Sequence, residues 1–319
     1  MVVGGITRLT HSGLSIVEWQ PLVGAVPPLD DREWEETFAK YRLTPEFRLR
    51  NHDMTLAGFK SIFWWEYAHR LLGRVIGVVF LVPFAWFLAR GRIDRALAWK
   101  LGGIFLLGAV QGAVGWYMVK SGLVDDPRVS PVRLAAHLGI AFVIYGTLLW
   151  IMLRLLYDPV RRVTRDARAM AGIVVVLVFI MVLSGALVAG IRAGLAYNTF
   201  PLMDGQWIPR EILLLDPKWK NFVYNMATVQ FVHRALALGI AVLVALLWWR
   251  MDSVLTFDDR VRAWSNALLV AVVVQVALGI ATLLLRVPLP LAALHQAGAL
   301  AVFTCAIGLR HALRQPRAS

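Results

Sequence analysis

Apolar runs longer than about 18 residues, enough to cross a hydrocarbon layer as helices, recur along this chain. They place seven full spans at roughly 66–89, 99–119, 133–156, 168–190, 228–249, 263–285 and 291–312. The chain is 59% hydrophobic, above the ~45–50% of soluble domains. Alternating segments of about ten residues, the mark of a membrane barrel, are absent. The expected fold is an all-α polytopic membrane protein.

The net charge of +13 would suggest nucleic acid in a soluble protein. Here the basic residues cluster at span ends, where orientation and anionic lipid explain them better, so no nucleic-acid partner is expected. The loops at 90–100, 154–168 and 250–262, with the tail, hold fifteen Lys and Arg. The alternate loops, 120–133, 191–227 and 286–290, hold eight over more residues. The first set is therefore expected on the cytoplasmic side, with the C-terminus, and 8–65 outside. A lone Cys305 in an apolar run excludes an internal disulfide. No signal peptide or transit sequence is evident.

The chain also repeats itself. His69-Arg70 recurs as His233-Arg234, 164 residues on, and Gln111 to Gly115 recurs as Gln275 to Gly279 at the same shift. Arg133 to His137 recurs as Leu291 to His295, shifted by 158. Gly13-Leu14 through Pro21-Leu22 recurs as Gly194-Leu195 through Pro201-Leu202, shifted by 181 and 180. This order predicts a duplicated four-helix bundle with eight spans, its halves at 1–160 and 161–319 and running in the same direction. MVVGGI at 1–6 reads as the last turns of a first span, with Gly5 the counterpart of Gly185; a start codon assigned too late is the simplest account, and a seven-span protein with an interfacial stub the alternative.

His69, His137, His233 and His295 are expected in the first turn or two of spans entering from outside, so all four should lie near the outer face. A lone membrane histidine need only bond a neighbouring carbonyl, but four at equivalent repeat positions point to function. Imidazole suits Zn or Cu, yet structural Zn favours four converging ligands, often with Cys, and the only Cys lies far away. Two separated pairs suit two haems, each with two axial histidines. Small residues stand four positions after each histidine, Gly73, Ala141, Ala237 and Ala299, where a flat macrocycle needs room and where helix packing would equally use them. Glu66 precedes His69 by three and shares its helix face, whereas Gln230 occupies the matching place before His233. An acid on one side only suggests chemistry there, accepting or relaying a proton or holding a charged intermediate. The alternative is a structural hydrogen bond to Arg70 or Arg74. Arg70 and Arg234 are candidate partners for haem propionates, although interface snorkelling also accounts for them. His11, His52 and His311 have no repeat partner and receive no role. The turn-rich loop at 198–205 is a candidate cover for the second site.

The segments GGITRLTHSGLSIVEW (4–19), FWWEYAHRLLGR (63–74), NTFPLMDG (198–205), QFVHRALA (230–237) and LHQAGAL (294–300) together resemble the haem A synthase family, in its mitochondrial and alphaproteobacterial branch. The resemblance implies stepwise oxidation of the C8 methyl of haem O to a formyl group by a haem-dependent membrane oxidoreductase. It implies that His69 and His137 hold the substrate haem, that Glu66 is the catalytic acid, and that His233 and His295 ligate a haem b for electron transfer. Its partners would be haem O, haem O synthase, an electron donor and the lipid bilayer of a bacterial inner membrane, with self-association a further candidate. The outer-loop cysteine pair of another branch is absent, and the short first segment departs from the family. Two rival classes are a dihaem b electron carrier, whose haems would stack across the membrane, and a repeat transporter, which would show broken spans or midplane charges.

Overall fold

The computed structural model describes residues 1–18, 23–123, 129–158, 165–252 and 258–314. Arg128, Arg161, Arg162, Arg317 and the Pro21-Leu22 end of one repeat match lie outside them. Among the described residues the architecture is all-helical. Four short helices, α1 (Val2–Leu9), α2 (Asp31–Arg42), α3 (Pro45–Arg50) and α8 (Asn221–Tyr224), accompany seven long ones. The long helices are α4 (Leu56–Ala89), α5 (Arg95–Gly122), α6 (Pro131–Leu156), α7 (Arg165–Gly190), α9 (Met226–Asp252), α10 (Asp259–Leu284) and α11 (Leu289–Ala312). All seven are long and apolar enough to cross a membrane, so the chain is a multi-pass membrane protein.

Starts are set locally. Thr55 accepts the Gly58 amide at 3.2 Å to open α4, and Asp94 accepts the Leu97 amide at 2.7 Å to open α5. Pro288 stands before α11 and Pro290 in its first turn, where a missing N–H costs nothing.

The contacts divide the chain into two compact units, Met1–Ala141 and Phe142–Ser319. The sequence repeat ends after α6, whereas the contact boundary falls within it. The later turns of α6 pack on α11: Phe142 meets Phe303 edge to face at 5.2 Å, and the Tyr145 hydroxyl lies 2.7 Å from that of Thr304.

In the first unit α4 packs against α1, α2 and α5. α4 begins ten residues earlier than its apolar pattern suggests. Its 34 residues make a rod of about 51 Å, well beyond the ~30 Å hydrocarbon layer. The extra turns are held by an aromatic cap: Phe59, Ile62 and Phe63 bury against Trp34, Phe38 and Tyr41 of α2. Trp34 meets Phe63 at 4.9 Å in a T-shaped pair, and such pairs contribute about 0.5–1.5 kcal/mol beyond area burial. Trp64 and Trp65 remain 46% and 40% exposed, half-wet rings as an interface requires.

Tyr41 is fully buried in this cap, with its hydroxyl accepting a 2.7 Å bond from the Asn51 amide. Burial pushes its pKa up from 10.0 to about 12. A group whose ionisation is resisted by the fold stabilises fully below its unfolded value and loses that contribution as pH rises through its folded value. The cap is therefore expected to loosen between pH 10 and about 12. Alkaline titration followed by tyrosinate absorbance and tryptophan fluorescence checks this, and Tyr41→Phe should remove the transition.

In the second unit α7, α9, α10 and α11 close a ring of packed neighbours, α7 on α9, α9 on α10, α10 on α11 and α11 on α7. The core stripes follow helical spacing: Val174, Val178 and Val182 on α7, Val244 and Leu247 on α9, Leu268 and Val272 on α10, Val302, Phe303 and Ala306 on α11.

Candidate functional site

The four histidines fall on α4, α6, α9 and α11. His137, His233 and His295 lie in the second turn of their helices, as expected. His69 does not; it lies in the fourth turn of α4, because the aromatic cap extends that helix outward.

Each imidazole lies against a glycine of a neighbouring helix. A Cβ built at Gly4 would stand 2.8 Å from His69 Nε2, and one at Gly115 2.8 Å from His137 Cε1. At Gly279 it would stand 2.9 Å from His295 Cε1, and at Gly185 3.3 Å from His233 Cε1. The first three separations are shorter than side-chain carbons tolerate, so these positions exclude any other residue while the rings stay in place. Gly115 and Gly279 are repeat mates at a shift of 164, and Gly4 and Gly185 at a shift of 181. The partner of Gly185 is thus Gly4 rather than Gly5; the 181 shift of the loop continues into the helix before it.

The rings come together in pairs. His69 feels the charge of His137, and His233 that of His295. The buried Nδ1 atoms of His137 and His295 have no hydrogen-bond partner among the described residues. Gln111 Nε2 lies 3.4 Å from His137 Nε2, while its repeat mate Gln275 donates to the His295 carbonyl at 2.9 Å. Ser184 Oγ lies 3.2 Å from His233 Nδ1. A Cβ at Gly73, four residues after His69, would meet nothing within 4 Å. No group of three or more His, Cys, Asp or Glu able to hold a metal ion occurs among the described residues. Unpartnered ring nitrogens on His137 and His295, and neighbours reduced to backbone glycines, fit a flat group held by each pair of imidazoles.

Outside each pair lies an i,i+4 clamp. Glu66 is 2% exposed, and each of its oxygens accepts two hydrogen bonds. Oε1 accepts from Arg70 Nε at 3.1 Å and Nη2 at 2.6 Å. Oε2 accepts from the Ser15 hydroxyl at 2.7 Å and the Ile16 amide at 2.9 Å. Arg70 also donates to the carbonyls of Ile16 at 2.8 Å and Glu18 at 3.1 Å. In the second unit Arg234 donates to Gln230 Oε1 at 2.9 Å and to the carbonyls of Tyr197 at 2.7 Å and Thr199 at 2.9 Å. Tyr197 and Thr199 are Ile16 and Glu18 shifted by 181, so one clamp has been built twice. The exception is the second oxygen. Gln230 has a nitrogen there, and it donates to the Ala193 and Ala196 carbonyls at 2.7 Å each.

The clamps bear on the expected arginine roles. All three Arg70 nitrogens are engaged within the protein. Arg234 retains a buried Nε without a partner among the described residues. The 198–205 loop is tied through Thr199 to Arg234, the residue next to His233.

The sequence singled out every histidine and the Glu66/Gln230 contrast. It did not single out the four backing glycines, Ser15 or Ser184. The signal was present for two of the glycines, because Gly115 and Gly279 close the recurring Gln-x-x-x-Gly segments. His311, given no role, is buried edge-on to Trp150 at 5.3 Å with Arg154, Arg260 and Arg314 nearby, at the far end of α11 from His295.

Fold and site together define a class: a polytopic helical membrane protein presenting imidazoles in pairs. A family model described as cytochrome oxidase assembly protein matches residues 1–307. A heme A synthase of Nitrosospira multiformis is 56% identical over 320 residues, covering 99% of this chain and 89% of that protein. One from Nitrosomonas eutropha is 50% identical, covering 96% and 87%, and one from Parvibaculum lavamentivorans 46% identical, covering 98% and 90%. The chain belongs to the haem A synthase family.

Proposed function

We propose that this protein is a haem A synthase that oxidises the C8 methyl of haem O stepwise to a formyl group. In this reading His69 and His137 hold the substrate, and His233 and His295 hold a haem b. The observation that carries it is the duplicated clamp, in which Arg70 and Arg234 reach repeat-mate carbonyls and the side chain four residues before them, that side chain being the carboxylate of Glu66 in one unit and the amide of Gln230 in the other. A protein that only carried electrons would have no use for that difference; a protein with chemistry in one unit would. The haem b supplies electron transfer when bound. Arg234, with its unpartnered Nε beside His233, is suited to a propionate there; Arg70 is suited to holding Glu66 and the loop.

Four donors hold the Glu66 side chain in one orientation. The glycines leave each imidazole room to lie directly against a neighbouring helix backbone.

Haem A production is checked by expressing the chain in a membrane that makes haem O but no haem A, then extracting and separating the haems. Haem A is expected only when the chain is present. Bound haem b with haem O left unconverted would overturn the assignment in favour of a dihaem electron carrier.

A further inference from the structure

We infer that the second unit carries a binding site for one anionic glycerophospholipid, at the end of the unit remote from His233 and His295. A groove of about 620 Å³ runs along α7 and reaches α11. Its mouth is lined by Arg165, Arg168 and Arg310, and its floor by Gly172, Ile173 and Val176. Arg168 and Gly185 are 17 residues apart on α7, so the mouth stands roughly 25 Å from the His233 ring that Gly185 backs.

Three cations from two helices converge there. Arg310 forms no hydrogen bond or ion pair with the described residues, and it lies close enough to Arg168 for the two charges to repel. No acidic residue lines the groove. Gly172 makes the room: a Cβ at that position would stand 3.4 Å from Arg310 Nε, so the guanidinium lies across the helix backbone. Arg165 and Arg310, neither with a hydrogen bond or ion pair among the described residues, call for an anion. The start of α7 adds its own positive pole beside Arg165 and Arg168.

The floor says what kind of anion. Ile173 and Val176, both apolar, are 52% and 57% exposed. At Leu177 the groove meets a second, wholly apolar furrow of about 320 Å³ lined by Leu236, Gly239 and Ile240 of α9. A cationic mouth that meets an apolar trough matches a phosphate with acyl chains attached. A free phosphate would use the mouth and ignore the trough.

Native mass spectrometry of the full chain in detergent tests the site. Dioleoyl phosphatidylglycerol, dioleoyl phosphatidylcholine and inorganic phosphate are the probes. One phosphatidylglycerol is expected to stay bound at concentrations where phosphatidylcholine does not. The double variant Arg165→Gln, Arg310→Gln should weaken it about tenfold or more. Arg154→Gln, at the same end but outside the groove, should leave it unchanged. Val176→Trp keeps all three arginines while filling the trough, and should weaken the lipid too. Equal retention of the two lipids, or an unaltered affinity in monodisperse double variant and Val176→Trp, would overturn the proposal. Displacement of the lipid by millimolar inorganic phosphate would replace it with a simple phosphate site.

Discussion

Glu66→Gln is expected, on the proposed assignment, to lower haem A formation at least a hundredfold while leaving haem b bound at the second pair of imidazoles. Positioned acid–base groups contribute about 10²–10⁴ in rate, and this is the only carboxylate that separates the two clamps. The variant changes charge and also hydrogen bonding. The Ile16 amide, a donor, would face the new amide nitrogen, and an unpaired buried donor costs about 1–3 kcal/mol. Gln230 avoids this conflict because its loop offers the Ala193 and Ala196 carbonyls instead. Ser15→Ala separates the two effects, since it removes one donor to Oε2 and leaves the charge. Haem chromatography should show product from Ser15→Ala and none from Glu66→Gln. Unchanged haem A in Glu66→Gln would remove the acid from the mechanism. Loss in both would make the loop position, rather than the charge, the quantity that matters.

Putting a side chain behind either of two imidazoles is expected to empty that unit selectively. Gly279→Val drives carbon into a space where even a single Cβ would come within 2.9 Å of the His295 ring. The ring must leave its place, and would no longer be positioned to hold the haem proposed for that unit. Gly279→Val should therefore match His233→Ala in losing the haem b signal in pyridine haemochrome spectra. Gly115→Val should match His69→Ala, retaining haem b and losing haem A. Overpacking of a close helix contact typically costs about 1–3 kcal/mol, so the proteins should remain folded and monodisperse. The reverse pattern would exchange the roles of the two units. Haem b retained in both glycine variants would mean the rings can swing aside at no cost.

The spans were legible because hydrocarbon demands long apolar runs, and six of the seven helices begin within about four residues of where hydropathy starts them. α4 was not, since Leu56 to Trp65 are helical for a tertiary reason: Trp34, Phe38 and Tyr41 cover one face of those turns. That contact spans some twenty residues of sequence and has no local periodicity to announce it. The histidines were legible because four rare residues at matching repeat positions are conspicuous in an apolar chain. Their glycines were hidden by abundance. The chain has 25 glycines, and nothing in the sequence says which of them faces a ring. The Arg70 contacts were hidden for a different reason: its partners at Ile16 and Glu18 are backbone carbonyls, which every residue possesses.

Phe63, in the aromatic cap, and Glu66, in the clamp, are three residues apart on one uninterrupted helix. No loop or proline stands between them, and Pro83 lies far down the same rod. The cap is therefore a handle on the carboxylate: rotation or lift applied to α2 passes to Glu66 without a joint that could absorb it. A docking protein would need no access to the buried site to alter it. A grip on the outer surface around Trp34 would suffice, with α4 acting as the shaft.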